Sequence, residues 1–181
     1  MATRTVSIDT SHSHVGFSVR HLMISKVRGT FGTWEGTIQL DEDDLAKSSV
    51  EVTIQVASVD TKEEKRDAHL RSADFFDAEQ HPTMTFKSRK VEVEGGQVAR
   101  VVGDLTIRGT THEVTLEVED LGKSKDPWGN ERVGYAAKTR INRTDYGLNW
   151  NQALELGGVL VGEKVDIELD LEGIVAQAKA A

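Results

Sequence analysis

A chain of 181 residues suits one domain, taken here as residues 1–181, and is long enough to bury a sizeable core. Its net charge of −8, from 30 acidic and 22 scattered basic residues, leaves no clustered basic surface and argues against a nucleic-acid partner. The lack of cysteine removes disulfides, thiolate catalysis and thiolate zinc sites together.

The first residues, Met1 to Ile8, carry no long apolar run of the kind a signal peptide needs, and no stretch approaches the length of a membrane span. The expectation is a soluble, cytoplasmic protein, or a periplasmic or secreted one where an export signal has been removed. After Thr10–Ser13, the residues Val15, Phe17 and Val19 alternate with Gly16, Ser18 and Arg20 and predict a strand. A long strand is predicted from Lys26 to Leu40, with a bulge near Gly32 where the apolar phase changes between Phe31 and Trp34. Asp41–Asp44 is a charged turn, and the next strand covers Ser49 to Ser58.

One helix follows. Thr61 and Glu64 fit a capping box, with Thr61 as N-cap, and the helix is expected to reach Leu70 or Arg71. A further turn runs through Phe75 and Phe76, and Pro82 ends the region. Met84–Val93 and Val98–Ile107 are strands joined by Gly95-Gly96, and Arg108-Gly109-Thr110 turns the chain into the strand around His112–Glu119. Asp126-Pro127-Trp128-Gly129 reads as a type I turn leading into Val133–Ile141.

From Asn142 to Gly162 no period is sustained, and a connection of that length suits a lid or binding segment. Gly147, Gly157, Gly158 and Gly162 are candidate hinges, with Leu148, Trp150, Leu154 and Leu156 folding inward. The last strand, Lys164–Glu172, alternates aliphatic and charged residues without error, and Ala176–Ala181 is an expected frayed tail.

About eight strands with short connections and one dry face each point to an all-β, antiparallel, lipocalin-like barrel with one short capping helix. Periodicity does not distinguish a hollow barrel from one filled by its own side chains. The candidate wall and mouth residues are Phe17, Val19, Phe31, Val52, Ile54, Val56, Phe86, Leu105, Leu116, Ile141, Leu148, Trp150, Ile167 and Leu169. They carry almost no hydrogen-bonding groups, so a cavity between them would take a hydrocarbon. Burying about ten methylenes contributes roughly 8 kcal/mol before association costs.

Several segments together resemble the YceI-like family. They are His12-Ser13-His14-Val15-Gly16-Phe17, Arg20-His21 and Val27–Phe31, then Ser58–Thr61 with Arg66–Asp77. Gly103–Thr111, Asn142–Leu148 and Val161–Val165 follow in the family's order and spacing. The resemblance implies a barrel with an internal tunnel for a long-chain lipid, of the polyisoprenoid or isoprenoid quinone class, which it would bind and carry or store without chemistry. It implies no enzyme, no cofactor other than such a lipid, and a possible homodimer. Most familiar members carry an export signal and work in the bacterial periplasm, some relatives do not, and this chain shows none.

Arg66, His69 and Arg143 are candidates for contacting a lipid headgroup, since a guanidinium donates paired hydrogen bonds to a phosphate. Against this stands a purely structural role for each, in bracing the helix and the long connection. His12 and His14 share a face if extended, but the sequence places no third ligand, so no metal site is expected. Two rivals remain: an enzyme acting on an isoprenoid-type lipid through His12, His14 or His69, and a packed structural or partner-binding barrel. The packed barrel would hold less than the roughly 300 Å³ of a ligand pocket.

Overall fold

The computed structural model describes residues 3–22, 24–152 and 160–177. In chain order the strands are β1 (Thr3–Ile8), β2 (His14–His21), β3 (Ser25–Phe31), β4 (Trp34–Asp41), β5 (Ser49–Gln55) and β6 (Val59–Asp60). The single α-helix among the described residues is α1 (Glu64–Arg71). It precedes β7 (Thr83–Glu94), β8 (Gln97–Ile107), β9 (Thr110–Lys125), β10 (Glu131–Asn142) and β11 (Val161–Val175).

Every pairing is antiparallel. The order β1-β4-β5-β7-β8-β9-β10-β11 closes on itself where Val6 pairs with Val175, giving an eight-stranded barrel. The single edge of β11 is shared: β1 takes Gly173–Val175, and β2 pairs along Val161–Asp170. β3 and the two-residue β6 then extend the wall beyond β2. Closure leaves the apolar column of each main strand nowhere to go but inward.

The two tight hairpins follow their turn chemistry. Gly95 and Gly96 have φ of 60° and 77°, and Arg108 and Gly109 have φ of 50° and 74°. Both central residues at positive φ is the geometry whose twist matches that of the flanking strands. The expected turn at Asp126 forms too, with Gly129 N–H donating to Asp126 O at 3.0 Å.

Three local expectations are corrected. The predicted strand Lys26–Leu40 is two strands meeting at a corner, Gly32-Thr33, because β3 pairs with β2 and β6 while β4 pairs with β1 and β5. Opposed partners pull the halves apart, which a bulge within one ladder would not do. At α1 the N-cap is Glu63, whose carboxylate accepts from Arg66 N–H, rather than Thr61. Thr61 is buried and instead donates its N–H and hydroxyl to Asp67. Third, the strand expected to reach Ser58 ends at Gln55, and Val56–Ser58 is a single 3-10 turn. A strand not anticipated at all, β1, supplies the closure.

One end of the barrel is tied by charge. Arg132 on β10 reaches Asp126 at 2.8 Å, Glu172 at 2.9 Å and Asp9 at 3.1 Å, linking a hairpin turn, β11 and the β1–β2 connection. Burial acts to raise the Asp126 carboxyl, but the Arg132 guanidinium and hydrogen bonds from Asn130 and Trp128 outweigh it and hold it at about 2. Asp9 is held well below the carboxylate range by Ser11, His12 and Arg132. A depressed folded value stabilises the fold above the unfolded value near pH 4, and that contribution disappears as pH falls through the folded value. The thermal midpoint is therefore expected to fall between pH 4 and pH 2, and Asp126→Asn should flatten that slope in a melting series.

Candidate functional site

The barrel is hollow. A cavity of about 380 Å³ runs inside it, and its wall is almost wholly hydrocarbon. The inward columns follow from strand period: Val15, Phe17 and Val19 on β2, Val50, Val52 and Ile54 on β5, and Val114, Leu116 and Val118 on β9. On β11 the column is Val165, Ile167, Leu169 and Leu171. β10 contributes Tyr135, Ala137, Thr139 and Ile141, and the short side chains at its centre keep that side of the bore open.

Two strands break phase and still present apolar residues. The β7–β8 register shifts between Ser88 and Lys90 and again between Glu92 and Val93. These shifts place Phe86 and Val91, their partners Leu105 and Val101, and Val98 near the hairpin, all on the wall. Gly103 lies where a Cβ would meet the Phe86 ring at 2.5 Å, so this glycine lets the ring lie against β8.

Of the residues the sequence nominated, Phe17, Val19, Phe31, Val52, Ile54, Phe86, Leu105, Leu116, Ile141, Leu148, Trp150, Ile167 and Leu169 line the cavity, as do Arg66, His69 and Arg143. Val56 does not. Its strand has already ended, its N–H donates to Pro82 O at 2.9 Å, and its side chain packs in the core with Val59 and Met84. His12 and His14 are off the cavity wall; His12 lies 2.9 Å from Asp9 in the charged cluster at the barrel end.

The mouth is built from α1, the turn after it, and the segment after β10. Trp150 stacks edge-on against His69 at 4.6 Å and lies 5.5 Å from Phe75, forming an aromatic cap with Leu148 beneath. His69 turns its Nε2 to Asp74 at 2.8 Å. Arg66 donates Nε and Nη2 to the hydroxyl and carbonyl of Thr61, and the residue is exposed.

Arg143 is the structural centre of the mouth. It is 5 % exposed, and its guanidinium donates to four backbone carbonyls: Leu148, Trp150 (3.0 Å), Val161 (3.2 Å) and Gly162 (2.7 Å). Both ends of the connection are thus gathered on one side chain. Burial pulls its pKa down, and Glu163 opposes that. Asn151 adds a second latch, accepting from Val161 N–H and donating to Val161 O at 2.7 Å. Leu154, Leu156, Gly157 and Gly158, expected as inward residues and hinges, lie outside the described residues, as does Ala178–Ala181 of the expected tail.

Sequence reasoning missed Arg108 and Tyr146. Arg108 donates to Phe75 O and Gly147 O, both at 3.1 Å, tying the turn after α1 to the turn after β10. Tyr146 is 2 % exposed, and its hydroxyl is the one buried side-chain polar atom without a partner among the described residues. Burial and the nearby Asp145 carboxylate push its phenol up to about 12. The last registered pair of β9 and β10 towards the mouth is Glu117 with Lys138. Beyond it, His112 donates to Asp145 O at 2.8 Å and stacks edge-on with Tyr146 at 5.1 Å, and both line a second pocket that opens between the strands. The signal for Arg108 was its place at a positive-φ hairpin, where a residue other than Gly or Asn is uncommon.

Comparison with known proteins agrees with this architecture. The YceI-like domain profile matches residues 7–173. A UPF0312 protein of Staphylococcus epidermidis is 43 % identical over 167 residues, covering 92 % of this chain and 95 % of the relative. A UPF0312 protein of Staphylococcus aureus is 40 % identical over 172 residues, covering 94 % and 98 %. Among solved structures, the Campylobacter jejuni YCEI protein superposes with a TM-score of 0.75 at 30 % identity, over 87 % of this chain and 90 % of the other. Burkholderia cenocepacia BcnA superposes at 0.78 with 23 % identity, over 91 % and 98 %. A polyisoprenoid binding domain from Saccharophagus degradans superposes at 0.69 with 16 % identity, over 94 % and 98 %. By the extent of the profile match and by these identities, the chain belongs to the YceI-like domain family.

Proposed function

We propose that this protein binds a long-chain apolar lipid of the polyisoprenoid or isoprenoid quinone class inside the barrel, and carries or stores it without chemistry. The observation that carries the reading is the cavity: about 380 Å³, walled by aliphatic and aromatic side chains from every long strand. That volume exceeds the lower bound for a ligand pocket, so it speaks against the packed-barrel reading. Each methylene moved from water to such a wall contributes about 0.8 kcal/mol, so affinity grows with chain length. The candidate wall residues supply that contact. Of the histidines of the enzyme reading, His12 and His14 lie off the wall, His12 beside Asp9, while His69 lines the mouth with its Nε2 turned to Asp74.

The test is extraction of folded protein, purified without added lipid, followed by mass spectrometry. A co-purified lipid with a long isoprenoid chain is the expected result. Empty extracts, together with no uptake of an added isoprenoid in a fluorescence titration, would overturn the reading.

A further inference from the structure

Resting on that lipid-binding reading, we infer that the gap between β9 and β10 is a lateral mouth of the bore. It holds the oxygen-bearing end of the cargo, by hydrogen bonds to an alcohol or carbonyl oxygen, while the tail lies inside.

The gap is built into the sheet. β9 and β10 pair from Lys125 and Glu131 as far as Glu117 and Lys138, and then part. Neither strand ends there: β9 stays paired to β8 as far as Thr110, and β10 to β11 as far as Asn142. In an antiparallel ladder every second residue turns its N–H and C=O to the same neighbour. Both lips of the gap therefore carry backbone donors and acceptors with no strand to meet them.

The gap also adjoins the bore. A pocket of about 550 Å³ sits in it, and Val114, Thr139, Ile141 and Tyr146 line this pocket and the main cavity alike. One layer of side chains thus divides the hydrocarbon wall from a polar outer lining of His112, Thr115, Arg140 and Asn142. There the carboxylates of Glu113 and Asp145 stand against the cations of Arg140 and Lys164. A molecule with an apolar tail and an oxygen at one end matches that change of polarity along its length.

Tyr146 is the residue that points to a ligand. Its hydroxyl belongs to the shared layer, is buried, and has no partner. An unmet buried donor is costly, and an acceptor oxygen entering the gap would remove that cost. His112, whose ring lies edge-on to Tyr146, is exposed and free to yield to it. At the outer lip Arg140 donates Nε to Asp166 at 2.7 Å and keeps Nη1 for a further oxygen.

The experiment uses the full chain and displacement of a fluorescent probe, N-phenyl-1-naphthylamine, by farnesol and by farnesene, a hydrocarbon of equal carbon count. Tyr146→Phe is expected to weaken farnesol about fivefold, leave farnesene unchanged, and keep or raise the thermal midpoint. Position is read separately, since the chain has no cysteine to compete for a thiol reagent. Bound farnesol should slow maleimide labelling of Thr115→Cys about fivefold, and leave Thr85→Cys, on the outer face of β7 away from the gap, unchanged. Farnesol affinity unaltered in Tyr146→Phe overturns the inference, and so does a lowered midpoint, which would show the hydroxyl already partnered. Equal labelling of Thr115→Cys with and without bound farnesol overturns it as well, whether or not Tyr146→Phe folds. If neither competitor nor the probe binds, the underlying lipid reading fails instead.

Discussion

Replacing Ala137 by Phe is expected to weaken binding of a long-chain lipid by more than tenfold while leaving the barrel at least as stable. Ala137 lies at the middle of β10, in register with Val118 and Leu169, and its side chain faces the bore between longer neighbours. A ring placed there takes up space that a chain would otherwise thread. A tenfold loss corresponds to about 1.4 kcal/mol, the equivalent of fewer than two buried methylenes. Filling a void also restores dispersion contacts, so stability should hold or rise by up to about 1 kcal/mol. Probe displacement and thermal unfolding on the same preparation check both halves. Unchanged affinity in a folded variant would mean that the bore is not where lipid lies.

Arg143→Met carries the second large effect: a loss of about 3 kcal/mol in stability, with faster release of bound lipid. The substitution keeps volume and removes the charge, but it leaves the carbonyls of Leu148, Trp150, Val161 and Gly162 without that donor. An orphaned buried acceptor costs about 1–3 kcal/mol, and the sum is reduced because the segment can relax and admit water. Arg143→Lys should recover only part of the loss, since one ammonium with three donors does not span four carbonyls held in a fork. Urea unfolding measures the stability; dissociation of the fluorescent probe measures the release. If Met at this position unfolds like wild type, the carbonyl clasp is not what holds the mouth.

The inner face of the barrel was legible along the chain because a strand alternates with a period of two, and thirteen of the named apolar residues do reach the cavity. Where the reading slipped, a partner strand was the cause. Val56 has the right parity for the wall, but β5 ends one residue before it, where the chain turns towards Pro82. Gly32 was correctly singled out as a break, yet whether it bends one strand or separates two depended on β1 and β6, neither of them recognised as strands from the sequence. Glu63 displaced Thr61 as the helix cap because Thr61 was needed by Asp67 and Arg66.

The residues of the mouth were harder to interpret than to find. Arg66, His69 and Arg143 were all recognised as basic groups near the opening, and all three are there. Their engagement was invisible, because the groups that occupy Arg143 are backbone carbonyls, and every residue type carries one. No side-chain pattern can announce such a contact.

Alternation along the chain by itself determined that this protein is made of half-buried antiparallel strands with hydrocarbon on the enclosed face, since that face is decided two residues at a time. Whether the enclosure is solid or open was decided only in three dimensions. Cavity volume depends on how side chains from strands far apart in sequence meet across the bore, and there Ala137 and Thr139 stop short. The same holds for charge at the rim, where one arginine gathers carbonyls that only folding brings within its reach.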